Sequence, residues 1–354
     1  MGPEPRTVRV DGLKMRRLRL QAALTLEDFE DKSGLDRNLV RKLFRGQKVS
    51  LWTLERAAKV FEIKNHLELL HPDELAALGI DPEVSVPTKH VLEWEIQGHL
   101  SAWERTENGL QFCVARLQHR IFETRLARGK CYWLQHLQVS ERQRLEDHLR
   151  RHCEVCERVG KHPAIAENFT ATFLQDGGLW WVIDEWVEGP TLAECLKDGP
   201  LDIGRLKKVM TGVAEGLAVL HNENVIRREL SPRFIIVRRK DQSAVLIDFE
   251  LAKLLDGKTV RPKGGWLEDP YRATEVAGDA PIDGRADVYS WGRIFVEAAT
   301  GSLPAKGDES DHVKALTIPD TMKRLVLQCV ARTRSKRPQG MAEILQTLKR
   351  WKPL

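Results

Sequence analysis

The sequence has few cysteines and no long apolar run. No stretch approaches the ~20 consecutive apolar residues of a membrane-spanning helix, and residues 1–5 lack the apolar core of a secretory leader. Pro3 argues against myristoylation of Gly2. Six scattered cysteines indicate reduced thiols and not a disulfide framework. These features together predict a cytoplasmic protein with no membrane partner.

The sequence also lacks internal repeats and low-complexity tracts. Its 354 residues predict about two domains. Hydrophobic residues make up 42% and charged residues 30%, which is typical of a folded chain and excludes a disordered one.

Positive charge is concentrated near the start of the chain. Residues 1–65 contain 15 Lys or Arg and 9 Asp or Glu, whereas the remainder contains 41 and 42. This imbalance indicates that residues 1–65 bind a polyanion.

Residues 13–63 have the pattern of several short helices. Thr25 is a predicted N-cap for a helix over 26–32, Asp36 for one ending at Phe44, and Ser50 for a third. Gly46 fits a left-handed helix stop. The sequence therefore predicts an all-α domain over residues 1–65.

This helical pattern resembles the lambda-repressor/Cro-like (XRE) helix-turn-helix family, and Gly34–Leu35 falls at its turn. The resemblance implies that the second helix of the motif enters the major groove of duplex DNA. Its base and phosphate contacts would come from Arg37, Asn38, Arg41, Lys42 and Arg45. It also allows a homodimer on a two-fold site. The sequence departs from the family pattern at Leu26, Glu30 and Asp31. The alternative to DNA binding is a helix-turn-helix motif that contacts another protein.

Residues 66–90 contain prolines at positions 72, 82 and 87. Because prolines at these spacings prevent a long helix, we expect a semi-rigid linker.

Residues 225–236 resemble the catalytic loop of the protein kinase family, whose usual form is His-Arg-Asp-Leu-Lys-Pro-x-Asn. Glu229 stands where the family has the Asp base, Ser231 where it has Lys, and Phe234 where it has the metal-binding Asn. An aromatic ring has no oxygen to offer magnesium. The resemblance therefore implies the kinase fold with three residues of the phosphotransfer machinery replaced.

Other segments follow in kinase order over residues 90–350. Asp248 lies in a segment similar to Asp-Phe-Gly, with Glu250 in place of Gly. Glu275 resembles the end of the activation segment, Asp287 the start of the large central helix, and Arg337 the late arginine that pairs with Glu275. The resemblance implies an α+β bilobal fold, with an N-lobe over 91–187 and a C-lobe over 188–354.

Several residues that bind the nucleotide in the kinase family are missing or replaced in this sequence. Gly98 is the single glycine in the predicted phosphate hairpin, residues 96–102. The third strand is placed at 131–137, with Gln135 where the family has Lys, and a shifted register would offer Lys130 instead. The helix from Ser140 to about Arg158 would present its pairing residue at His152, Cys153 or Glu154, and Glu154 is expected to be an exposed charge.

Two further features lie in this region. Asp184, just before the predicted interlobe hinge, is expected to need hydrogen bonds, because a buried carboxylate is otherwise costly. Cys153 and Cys156 suit a helix core face better than a zinc site, since no second ligand pair follows at a matching spacing.

Three functions are consistent with these residues. The first is a DNA-binding regulator with an inactive kinase-like domain that senses a protein partner or a ligand. The second is an atypical or weakly active serine/threonine kinase that uses Glu229 as base and Asp248 as metal ligand, and this hypothesis alone requires ATP and magnesium. The third is a non-catalytic interaction scaffold.

Overall fold

The computed structural model describes residues 7–63, 66–71, 74, 90–101, 103–105, 111–134, 139–174, 178–250, 252–255, 269–277 and 282–352. The chain divides into two compact units, Met1–Pro87 and Thr88–Leu354. Among the described residues, no helix is both long and apolar enough to cross a membrane.

The first unit is a small helical body that also contains a short sheet. Its helices span Gly12–Gln21, Leu26–Ser33, Arg37–Phe44 and Leu51–Val60. Strand Thr7–Arg9 pairs antiparallel with Lys48–Ser50, which places Val8 opposite Val49, and both are buried. The prediction of an all-α domain was therefore wrong. A three-residue strand has almost no sequence signal of its own, and this one depends on a partner about 40 residues away.

The predicted helix starts are confirmed. Thr25 and Asp28 form a reciprocal capping box, and the Asp36 carboxylate accepts hydrogen bonds from the backbone N–H groups of Asn38 and Leu39. The Ser50 hydroxyl accepts one from the N–H of Thr53. Each cap satisfies a donor that the first turn leaves without a helical partner.

The first unit extends beyond residue 65. A 3₁₀ turn covers His66–Leu69, Leu69 and Leu70 are buried in the unit's core, and Leu70 forms a β-bridge with Val10. The predicted linker therefore begins too early, because these two leucines complete the core. Most of its later residues, 75–89, lie outside the described residues.

The second unit opens with a curled antiparallel sheet. In order across the described sheet, the strands are His90–Val91, Trp94–His99, Gln111–His119, Leu126–Trp133, Leu179–Glu185 and Asn168–Leu174, with Glu104–Arg105 pairing on Gln111–His119. Helix Val139–Val159 packs against this sheet through Leu145 and Leu149.

The rest of the second unit is mainly helical. Its longer helices are Ile203–Asn222, Arg285–Thr300, Glu309–Ala315, Asp320–Cys329 and Met341–Arg350, preceded by the short helix Leu192–Cys195. Short strand pairs join Val225–Ile226 to Lys253–Leu254 and Ile235–Val237 to Ala244–Leu246. The largest core cluster lies among these helices.

Candidate functional site

The 225–236 loop is anchored by one carboxylate. Asp287, fully buried on helix Arg285–Thr300, accepts hydrogen bonds from the backbone N–H groups of Arg227 and Arg228, each at 2.8 Å. Its Oδ2 also lies 2.8 Å from His221 Nε2. Arg228 has a positive φ of 61°, which is unfavourable for a non-glycine residue. Asp287 therefore holds the loop in a conformation that its own sequence does not favour.

The three predicted positions on this loop have different surroundings. Glu229 Oε1 lies 3.9 Å from Arg272 Nη2. The Ser231 hydroxyl is buried and has no hydrogen-bond partner among the described residues. The Phe234 ring packs against an apolar cluster containing Ile236, and the Arg227 guanidinium lies 5.2 Å from its centre. Phe234 is thus a packing residue at the position where a metal ligand would be required.

The environment of Glu229 favours its neutral form. Burial raises the pKa of its carboxyl above the ordinary value, and the nearby guanidinium groups of Arg227 and Arg272 only partly offset that effect. Burial also lowers the pKa of Arg227. A carboxylate with a raised pKa is chemically suited to accept a proton at a pH closer to neutrality.

Asp248 lies in a cluster of charged side chains. Its Oδ1 and Oδ2 accept from the Arg128 guanidinium at 2.9 and 3.3 Å, and Oδ2 also accepts from Lys130 Nζ at 3.0 Å. Lys130 Nζ donates to Glu250 Oε1 at 3.0 Å, and the Tyr132 hydroxyl donates to the same oxygen. Two cations and two carboxylates thus pair with each other between strand Leu126–Trp133 and the 248–250 segment.

Neighbouring opposite charges shift the pKa values in this cluster so that its acidic and basic side chains stay ionised. Burial would raise the pKa of Asp248, but Arg128 and Lys130 hold it far below the usual range. Burial would lower the pKa of Lys130, but Asp248 and Glu250 raise it instead. Burial and the neighbouring Glu250 raise the pKa of Tyr132 well above its ordinary value, so this hydroxyl stays neutral. Lys130, Asp248 and Glu250 therefore stay charged and pair with one another and with Arg128, while Tyr132 stays neutral.

The predicted third strand was placed five residues too late. The strand spans Leu126–Trp133 and not 131–137, so Lys130 lies on it and faces Asp248. Gln135 lies outside the described residues. The physical reason is the strand alternation: Arg128, Lys130 and Tyr132 share one face of the strand, and that face meets the 248–250 segment. The shifted register with Lys130 is the one observed.

Helix Val139–Val159 contributes His152 to the site. Its Nδ1 accepts from the backbone N–H of Phe249 at 3.0 Å, and its Nε2 donates to Asp184 Oδ1 at 2.9 Å. Asp184 accepts another hydrogen bond from Asn168 at 2.7 Å, which supplies the compensation that this buried carboxylate needs. Glu154 is the exposed charge that the sequence predicts, with 52% side-chain exposure and Arg151 at 3.5 Å.

The other candidates on this helix and the preceding sheet do not join the charged cluster. Cys153 donates to the Leu149 carbonyl at 3.8 Å within its own helix, and Cys156 Sγ lies 3.7 Å from His152 Nε2. Gly98 lies inside strand Trp94–His99 beside a β-bulge, and a Cβ placed there would meet no atom within 4 Å. Residue 102 of the predicted hairpin lies outside the described residues.

Glu275 and Arg337 meet as the sequence predicts. The Arg337 guanidinium is fully buried and donates two hydrogen bonds to the Glu275 carboxylate. It also donates to the backbone carbonyls of Arg285, Ala331 and Arg332 at 2.8–3.1 Å. This arginine therefore links three segments of the second unit.

In the first unit, the predicted DNA-contacting side chains are all exposed. Helix Arg37–Phe44 carries four of them, and the fifth follows at its C-cap: Arg37, Asn38, Arg41, Lys42 and Arg45. The opposite side of this helix is buried through Val40, Leu43 and Phe44.

Sequence reasoning did not predict that Arg128, Glu250 and Tyr132 belong to the charged cluster. A predicted strand at 126–133 would have placed Arg128 and Lys130 on one face. For Glu250, the family resemblance indicates only that a glutamate replaces the usual glycine. The contacts themselves connect positions about 120 residues apart and have no local signature.

Comparisons with known proteins relate the second unit to protein kinases. Residues 122–351 match the protein kinase domain family, so the match does not cover the first unit. The chain is 30% identical over 210 residues to serine/threonine-protein kinase pkn2 of Myxococcus xanthus, covering 53% of the chain and 25% of that relative. It is 26% identical over 220 residues to serine/threonine-protein kinase PknA of Nostoc sp., covering 58% and 39%. The matched part is thus well under half of either relative. These names favour the kinase hypothesis over the inactive one and do not bear on DNA binding.

Proposed function

Because the chain belongs to the protein kinase domain family, we propose that it is a regulatory member that senses a protein partner or ligand without ordinary magnesium-dependent phosphotransfer. The observation that carries this proposal is the closed pairing of Asp248 with Arg128 and Lys130. In the family, this carboxylate holds the metal that bridges the phosphates.

The residues present do not fit a magnesium–nucleotide. Both oxygens of Asp248 are engaged by cations of the protein itself, and Phe234 replaces the second metal ligand. Magnesium prefers near-octahedral oxygen coordination at about 2.0–2.1 Å, which neither a guanidinium nor a phenyl ring can provide. Gly98 lies in a strand and offers no glycine-lined approach for phosphates among the described residues.

We further propose that the first unit binds duplex DNA as a homodimer. The support is the exposed face of helix Arg37–Phe44 and the positive excess of residues 1–65. Arg and Asn side chains at these positions have the donor geometry that reads guanine and adenine in the major groove. The buried face of the same helix fixes the orientation of these side chains relative to the unit's core.

A second candidate is a serine/threonine protein kinase. It is favoured by the names of the relatives and by the presence of Lys130, Asp248 and Glu229 in the second unit. In this case Glu229 would accept the proton of a substrate hydroxyl, for which its raised pKa is favourable. Arg128 would have to leave Asp248 before a metal could bind.

A phosphotransfer assay separates the two candidates. The full chain is incubated with labelled ATP, magnesium and a degenerate library of serine- and threonine-containing peptides, beside the Asp248→Asn variant. We expect equal background labelling from both proteins. Labelling by the wild type that Asp248→Asn abolishes would establish the kinase candidate instead.

A further inference from the structure

Every second residue from Arg128 to Tyr132 on strand Leu126–Trp133 contacts the 248–250 segment. Arg128 and Lys130 contact Asp248, and Lys130 and Tyr132 contact Glu250. The strand thus delivers two cations to one carboxylate.

The guanidinium of Arg128 uses the lone pairs that a metal ion would need. Its Nη1 donates to Asp248 Oδ1 at 2.9 Å and its Nη2 to Oδ2 at 3.3 Å, so it spans the carboxylate from both oxygens. A divalent cation bound to the same oxygens would lie against a fixed positive charge, and the two would repel each other strongly at this low exposure. Arg128 and a metal ion therefore compete for one site.

We propose that Arg128 is the residue that excludes divalent metal from Asp248, because its side chain places a fixed positive charge on both carboxylate oxygens. The inference rests on the proposed function and extends it by naming the side chain responsible. Lys130 does not have this role, because it is also held by Glu250 and lies 4.9 Å from the centre of the Phe112 ring.

Removing Arg128 changes the net charge of the cluster. Arg128 and Lys130 carry two positive charges, Asp248 and Glu250 carry two negative charges, and Tyr132 is neutral. Without Arg128, this largely buried cluster has one excess negative charge, and Asp248 Oδ1 loses its donor while Oδ2 keeps the hydrogen bond from Lys130. Such a site attracts a divalent cation through both charge and coordination.

The experiment measures Mn²⁺ binding to the full chain, without nucleotide, by electron paramagnetic resonance and by the shift of the melting temperature. The variants are Arg128→Ala, Arg128→Met, which keeps most of the side-chain volume, Asp248→Asn, and Arg128→Ala combined with Asp248→Asn. Arg125→Ala is the matched control, since this arginine lies just outside the same strand and stacks on Phe169. Circular dichroism verifies that each variant is folded.

We expect Arg128→Ala and Arg128→Met to bind Mn²⁺ at least about tenfold more tightly than the wild type, given the removal of a unit charge at contact distance. The double variant and Arg125→Ala should resemble the wild type. Folded Arg128 variants with unchanged affinity, or a double variant that keeps the gain, would overturn the role of Arg128 while leaving the proposed function intact. Tight Mn²⁺ binding by the wild type that Asp248→Asn removes would contradict both.

Discussion

Arg337 binds Glu275 through its two terminal guanidinium nitrogens, Nη1 and Nη2, and its side chain is fully buried while that of Glu275 is 15% exposed. This ion pair joins the 3₁₀ turn Thr274–Val276 to the segment before helix Met341–Arg350. Neither residue contacts the charged cluster around Asp248 among the described contacts. The stability effect of removing this pair therefore reports on the integrity of the fold independently of the charged cluster.

Arg337→Ala and Glu275→Ala should each destabilise the second unit by about 3–5 kcal/mol, because either change leaves a buried charge without its partner. Glu229→Ala should cost less than about 1 kcal/mol, since it removes a carboxylate whose burial is unfavourable. Urea denaturation of the full chain gives all three values. Arg239→Ala serves as control, because this arginine is 74% exposed. If Glu229→Ala were the most damaging change, the loop would be organised around a functional base.

Asp287→Asn should release the 225–236 loop. The carboxylate accepts two backbone N–H groups, and an amide at this position presents its own donors to at least one of them. We expect a loss of about 1–3 kcal/mol and faster hydrogen exchange at Arg227 and Arg228. Asp283→Asn, at a site that is 42% exposed, should cost less than about 1 kcal/mol. Unchanged exchange in Asp287→Asn would show that other contacts fix the loop.

The raised pKa of Glu229 predicts a pH-dependent effect of Glu229→Gln. The folded protein binds this proton more tightly than the unfolded chain, so the carboxyl's contribution is fully present below its unfolded value near 4.5. That contribution is lost as the pH rises through the folded pKa. The stability of Glu229→Gln relative to the wild type should therefore increase with pH over this window.

Urea denaturation from pH 4 to pH 8 measures this difference, with Glu188→Gln as control because Glu188 is 61% exposed. A difference that stayed constant with pH would mean that Glu229 titrates like an exposed glutamate.

DNA binding by the first unit predicts a sequence-specific effect of Arg41→Ala. If Arg41 reads a base, its loss should weaken binding to the preferred duplex by about 1–3 kcal/mol and relax the preference at one position. Lys59→Ala, on the separate helix Leu51–Val60, should change affinity little. Selection from a random duplex library followed by fluorescence anisotropy at several salt concentrations provides the measurement. No enriched motif and no salt-dependent binding would exclude this function.

Local signals in the sequence predicted local structure well. Thr25, Asp36 and Ser50 each begin a helix as expected, because a cap depends only on residues within one turn. The pairing of Glu275 with Arg337 was also predicted, although it spans 62 positions, because the family resemblance supplied it. Without such a resemblance, nothing in the two segments alone indicates their contact.

The charged cluster could not be predicted in the same way. The residues from Arg128 to Leu137 contain no regular polar–apolar alternation, so the strand could be placed in either of two registers. The observed register depends on the contact of Arg128 and Lys130 with Asp248, 118–120 positions away. For the same reason the strand pairing of Val8 with Val49 was missed.

The central claim is that Asp248, held by Arg128 and Lys130, does not serve a magnesium–nucleotide. Isothermal titration of the full wild-type chain with ATP, in parallel with magnesium and with a chelator, tests it most directly. We predict no magnesium-dependent binding up to millimolar ATP. A dissociation constant of about 1–100 µM that requires magnesium, in the range where ordinary enzymes bind their substrates, would contradict the account.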